Sequence, residues 1–98
     1  MRFERLYDVS EKAHVRFVGF ASDRARYDFG IVFTNQFFGK PLVICMQTGR
    51  STLLSADEAE NIEYLQRTFN ISSCEEAEQL SVFFQHVIPR LTVGPEHE

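Results

Sequence analysis

The sequence predicts an α+β fold, with an N-terminal antiparallel four-stranded meander followed by two amphipathic helices packed on the sheet. Three observations carry this expectation. β-Branched and aromatic runs fill residues 14–54 with short turn signals between them, the hydrophobic spacing becomes helical after Ser55, and an S-x-x-E capping box stands before each helical stretch. No internal repeat, low-complexity tract or dividing linker interrupts the pattern. Residues 1–93 therefore read as one domain, and 94–98, with Gly94 and Pro95, as a disordered tail.

The first two strands are expected at about 14–21 and 26–34, joined by the short hairpin loop Ser22-Asp23-Arg24-Ala25. A third is expected at about 42–47, and Thr48-Gly49 turns the chain into a fourth at about 50–54. Ser55 with Glu58 opens a helix over 56–69, whose stripe is Ala59, Ile62, Leu65 and Phe69, and Asn70 ends it. Ser73 with Glu76 opens a second over 74–88, with the stripe Ala77, Leu80, Phe84 and Val87 widened by Phe83 and Ile88, and Pro89 stops it.

Ninety-eight residues, 44% hydrophobic and 24% charged, suit one ordinary globular domain, and ten phenylalanines supply much of its core. No run reaches the length of a membrane span, and charged residues interrupt any apolar stretch within residues 1–20, so a cytoplasmic protein is expected. Cys45 and Cys74 lie in unrelated elements and are expected as reduced thiols. Residues 1–50 carry a net +3 and residues 51–98 a net −7. Much of that split is local, since Asp57, Glu58, Glu60, Glu75, Glu76 and Glu78 stand near helix starts, where they complement the dipole.

Strand periodicity makes the strongest statement about function. In the second strand Tyr27, Phe29, Ile31 and Phe33 share one face, which is core. The third strand is apolar on both faces, Leu42, Ile44 and Met46 opposing Val43 and Cys45, and the first sets Val15 and Phe17 against Val18 and Phe20. Two helices cover one face. The other needs the N-terminal segment (Phe3, Leu6, Tyr7, Val9), a displaced helix or another subunit, and a two-fold homodimer is the favoured answer. The connector Asn35–Pro41 adds Phe37 and Phe38 to a polar turn, where exposed apolar groups mark contact surfaces. One of the pair is expected to anchor the local core and the other, beside Lys40, to face a partner. Phe37, Phe38, Lys40, Phe20, Val43 and Cys45 are the candidate interaction residues.

Leu6-Tyr7-Asp8, Val15-Arg16-Phe17-Val18, Tyr27-Asp28, Val32-Phe33-Thr34, Phe38-Gly39-Lys40 and Met46-Gln47-Thr48-Gly49-Arg50 together resemble a family of small uncharacterised cytosolic proteins of Firmicutes. The resemblance covers nearly the whole chain. It implies a compact cytosolic domain of unknown function and assigns no catalytic residue.

Chemical constellations are sparse. Cys74 at a helix start is the reactive-thiol candidate, but no CxxC partner or adjacent histidine accompanies it. His14, His86 and His97 fall in no metal-ligand spacing, Asp8, Asp23 and Asp28 are acid/base candidates in principle only, and no Walker A or GxGxxG loop is present. Asp28 is expected to pair with Arg16 across the hairpin. Neither a metal nor a cofactor is expected. The favoured reading is a non-enzymatic interaction or regulatory module that self-associates through a sheet face or the 35–41 loop. The alternative is single-stranded nucleic-acid binding by Arg16, Arg24, Arg26, Lys40 and Arg50, interleaved with Phe20, Phe37 and Phe38. A pI of about 5.3, with Glu11, Asp23 and Asp28 among those cations, disfavours it. A small enzyme or thiol-redox protein using Cys74 ranks below both.

Overall fold

A computed structural model describes residues 2–88 of the chain. Four strands, β1 (His14–Ala21), β2 (Arg26–Phe33), β3 (Leu42–Cys45) and β4 (Ser51–Leu53), form one antiparallel sheet in the order β1-β2-β3-β4. Three helices follow, α1 (Ala56–Ala59), α2 (Ile62–Phe69) and α3 (Cys74–Val87). The α+β meander expected from the sequence is the observed fold. Pro89 and the tail 94–98 lie outside the described residues, as does His97.

Turn chemistry fixes the register. At the first hairpin Ser22 N–H donates to Ala25 O (2.7 Å) while Ser22 Oγ accepts from the N–H groups of Arg24 and Ala25, closing a four-residue loop that pairs Ala21 with Arg26. The second tight turn takes two more residues than expected. Cys45 N–H donates to Arg50 O and Gly49 N–H to Cys45 O, both at 2.8 Å, with Gly49 at φ 75°. Met46 to Gly49 thus form the loop, and β3 ends at Cys45 rather than at Gln47. A positive φ is what glycine supplies without steric cost.

The long helix expected over 56–69 is two helices. Ser55 and Glu58 complete their capping box, each side chain bonding the other's backbone N–H (3.1 and 2.9 Å), but α1 ends at Ala59. Asn61 then caps α2, its Oδ1 accepting from Tyr64 N–H at 3.0 Å. A short amide side chain competes with the helical ladder at this point, and the apolar stripe survives because Ile62, Leu65 and Phe69 keep their spacing within α2. Asn70, left-handed at φ 58°, ends α2 as expected. At α3 only half of the second box forms. Ser73 Oγ accepts from Glu76 N–H at 3.1 Å, whereas the Glu76 carboxylate reaches across to the sheet.

All three helices supply core against the same sheet face. Phe29, Ile31, Val43 and Cys45 from the strands are buried with Ala59, Leu65, Phe69, Ala77, Leu80 and Phe84 from the helices. Phe29 is the hub, with the rings of Phe69 and Phe84 each 5.3 Å away and nearly perpendicular to it.

Candidate interaction surface

Alternation along the strands sends the other half of the side chains to the opposite face, and the pairing arranges them in rows. Val15, Val32, Leu42 and Leu53 stand side by side across all four strands, forming a wholly apolar row. The next row holds Phe17, Gly30, Ile44 and Ser51. Phe17 is 74% exposed and its ring lies over Gly30, where a methyl group would meet Phe17 Cε1 at 3.4 Å and the Met46 methyl at 3.9 Å. Val15 and Met46 are exposed as well.

The third row is polar. Asp28 accepts from Arg26 Nε at 3.0 Å and from Gln47 Nε2 at 2.6 Å, while its own N–H donates to Gln47 Oε1 at 2.8 Å. The Arg26 and Gln47 bonds hold its carboxyl below the ordinary carboxylate value. Gly19 is opposite, and a Cβ there would meet Asp28 Oδ1 at 2.7 Å. Asp28 therefore pairs within its own strand, not with Arg16 as expected. The face has an apolar field bounded at one end by charge, the composition of a contact surface with a polar rim.

The connector 35–41 forms a second apolar feature. Phe37 (φ 57°), Phe38 (φ 62°) and Gly39 (φ 76°) are consecutively left-handed, closed by Gly39 N–H to Gln36 O (3.1 Å) and Lys40 N–H to Phe37 O (3.2 Å). Left-handed backbone costs an L-residue about 1–2 kcal/mol. Phe38 is also 90% exposed, so its ring gives the free chain little packing in return. The strain at this position therefore works against the stability of the free chain. Phe38→Gly is expected to raise stability by about 0.5–1 kcal/mol, the relieved strain being partly offset by the freer unfolded chain, read as a higher urea midpoint. An unchanged midpoint would show that the ring does pack in the free chain. Phe37 and Phe38 line a groove with Gln36, Tyr7 and Val9. The N-terminal segment is pinned there by Glu11 Oε2, which accepts from Asn35 N–H at 3.0 Å, a bond that lowers the Glu11 carboxyl from its ordinary value.

The other expected contact residues divide. Val43 and Cys45 are wholly buried beneath the helices and are core, and Phe20 is half-buried with its ring 4.6 Å from that of Phe83. Those three side chains lie on the helix-covered face of the sheet. Lys40 Nζ lies 3.8 Å from Glu58 Oε1. Of the remaining basic candidates, Arg26 is engaged by Asp28, Arg50 Nη1 donates to Arg67 O at 3.4 Å, and Arg16 and Arg24 are exposed at different places, on the strand and in the hairpin loop. They do not converge on one patch.

Between the first hairpin and α3, Glu76 accepts from Ser22 Oγ at 2.5 Å and Tyr27 Oη at 2.9 Å beside a cavity of about 40 Å³. Both bonds, Ser22 first, lower the Glu76 carboxyl from its ordinary 4.5, while burial, with Glu76 adding to it, raises the Tyr27 phenol from 10.0. A depressed carboxyl contributes stability that is present above pH 4.5 and is lost as pH falls through the lower folded value. The raised phenol contributes below pH 10.0, a contribution that fades as pH climbs past it. Glu76→Gln is accordingly expected to flatten the acid limb of a urea-midpoint profile. An acid limb identical to the wild type would show that other carboxylates set it.

Cys74 is exposed at the first turn of α3, its Sγ 3.8 Å from Glu78 Oε2, an acceptor rather than the cation that an activated thiol calls for. His86 Nδ1 lies 2.8 Å from Val82 O, one turn back on its own helix, and His14 is exposed at the start of β1. Among the described residues no group of three His, Cys, Asp or Glu stands where it could hold a metal ion, and no helix is long and apolar enough to cross a membrane.

The family model described as SAV0927-like matches residues 6–86. The chain belongs to that family. No curated protein matches it. The SAV0927-like segment runs from Leu6 in the N-terminal arm to His86 in α3 and so includes the open sheet face, the 35–41 loop and most of the arm. Val15, Phe17, Ile44 and Met46, and not Val43 and Cys45, line the open face. Parity carried the signal for this, because the four-residue loop pairs Phe20 with the core residue Tyr27 and places Phe17 on the other side.

Proposed function

We propose that this chain is a non-enzymatic interaction module of the bacterial cytosol that forms a homodimer, the open sheet face being the surface where two copies meet. One observation carries the reading. The face whose centre is Phe17, Ile44 and Met46 carries an apolar row across all four strands, and among the described residues no helix lies on it. At the usual strand spacing and rise its planar area is roughly 400 Å², the size at which a monomer's patch is commonly functional. A flat sheet is best complemented by another flat sheet packed about 10 Å away, and a second copy supplies one. Two-fold pairing is also the commonest soluble assembly and gives a small domain burial that it cannot achieve alone. The two free cysteines, Cys45 and Cys74, accord with a reducing compartment, as does the likeness of the chain's segments to Firmicute cytosolic proteins.

Sedimentation equilibrium of the full chain over a wide concentration range tests the proposal. The wild type is expected to dimerise, and Phe17→Glu and Met46→Glu are expected to be monomers with unchanged far-UV circular dichroism, since both side chains are exposed in the free chain. A wild type that stays monomeric, or folded variants that dimerise as well as the wild type, would overturn it.

A further inference from the structure

The arm formed by residues 2–13 carries the largest exposure of apolar side chains outside the sheet, with Phe3 at 90% and Leu6 at 84%. Tyr7 and Val9 are exposed too. Among the described residues the free chain thus exposes apolar side chains on the arm as well as on the open face and the 35–41 loop, and the arm does not cover its own sheet. A stable dimer buries about 800 Å² on each partner, roughly twice what the sheet face offers by itself. From the deficit in area, together with the unused arm, we infer that the arms are exchanged: each packs along the apolar margin of the other copy's open face, beside the sheet contact, and completes an interface that the two sheets alone leave half-sized. This rests on the homodimer reading above.

Geometry supports the exchange. The arm joins β1 at His14, next to the apolar row that starts at Val15, so it leaves the sheet from the apolar end of the face and not from the end closed by Arg26 and Asp28. Glu11, bonded to Asn35 N–H, holds the root of the arm beside the 35–41 loop, where Tyr7 and Val9 line a groove with Phe37 and Phe38. Residues 2–10 remain beyond that anchor and reach about 30 Å when extended, against a four-strand width of about 19 Å. The arm also suits an apolar field without a charge preference, since Arg2, Arg5 and Lys12 balance Glu4, Asp8 and Glu11. Its residues from Leu6 onward fall within the segment that defines the family, together with the face whose margin they would cover.

The test uses the full chain in two measurements. Phe3→Ser, Leu6→Ser and Tyr7→Ser combined, compared with wild type by sedimentation, are expected to weaken dimerisation by about tenfold or more without abolishing it, because apolar burial is lost while the sheet contact remains. A photo-crosslinking amino acid replacing Leu6, in an equal mixture of ¹⁵N-labelled and unlabelled chains, is expected to give crosslinks between heavy and light chains that map to the margin of the face around Val15 and Leu53. A dimer whose dissociation constant is unaffected by the triple substitution, or whose crosslinks join residues of one chain only, would overturn arm exchange and leave the sheet-face dimer standing. A monomeric wild type would overturn both.

Discussion

Replacing Phe29 by alanine is expected to remove about 3–5 kcal/mol of folding stability, a large part of the 5–15 kcal/mol typical of a single domain. Phe29 is fully buried at the centre of β2, and four rings surround it. Those of Phe69 and Phe84 lie at 5.3 Å and those of Phe20 and Tyr27 at 6.4 Å. These neighbours come from β1, β2, α2 and α3, so the cavity left behind opens at the junction where the sheet meets two helices. Large rings anchored on four separate elements cannot close such a hole without moving a backbone, which puts the site near the upper end of the cost. Urea unfolding of the variant beside the wild type measures it. A loss below about 1.5 kcal/mol would mean that Phe69 and Phe84 collapse into the space, as readily repacked cores do.

Ser81→Ala should produce the second-largest loss, about 1–3 kcal/mol. Ser81 is buried in the middle of α3, its Oγ donates to Ala59 O at 2.5 Å, and the same oxygen accepts from Gln85 Nε2 at 2.9 Å. Ala59 is the last residue of α1, where a carbonyl lacks a full complement of helical partners. The hydroxyl thereby bonds the end of a one-turn helix to the long helix beneath it. Alanine leaves a buried carbonyl without this donor and adds no packing in exchange. Hydrogen exchange on the Ser81→Ala chain is expected to speed at the α1 amides more than at those of α3. Uniform acceleration would show that α1 is held chiefly by its apolar contacts and capping box.

Both sites show what the sequence discloses and what it conceals. The hub role of Phe29 follows from period 2, because Tyr27, Phe29, Ile31 and Phe33 share one face and only that face is apolar throughout β2. Element types and most boundaries follow from the same local rules. The bridge from Ser81 to Ala59 is not legible, since it joins residues 22 apart through a fold in the chain at Glu60–Asn61, where helical periodicity continues across a break in the helix. Asn61 is a capping residue type standing at that break, but the stripe of Ile62, Leu65 and Phe69 continues past it at helical spacing. Glu76 likewise read as half of a capping box, and its bonds to Ser22 and Tyr27 depend on tertiary placement. For the interaction surface, apolar demand on both faces was visible in Val15, Phe17, Ile44 and Met46, but the choice of face required the hairpin register. The left-handed backbone at Phe37 and Phe38 has no sequence signature, because aromatic residues are poor occupants of that region.

The two glycines of the first hairpin carry one more consequence. Strand parity protects a hairpin only against slipping by one residue, since a slip of two returns every side chain to its proper face. Here the partners are matched in size, Phe17 resting on Gly30 and Asp28 filling the space beside Gly19. Sliding β1 by two residues one way would set Phe17 against Asp28, and the other way would leave Gly19 opposite Gly30 with nothing between them. The large-to-small pairing thus serves as a vernier for the hairpin, selecting one register among those that parity leaves equivalent.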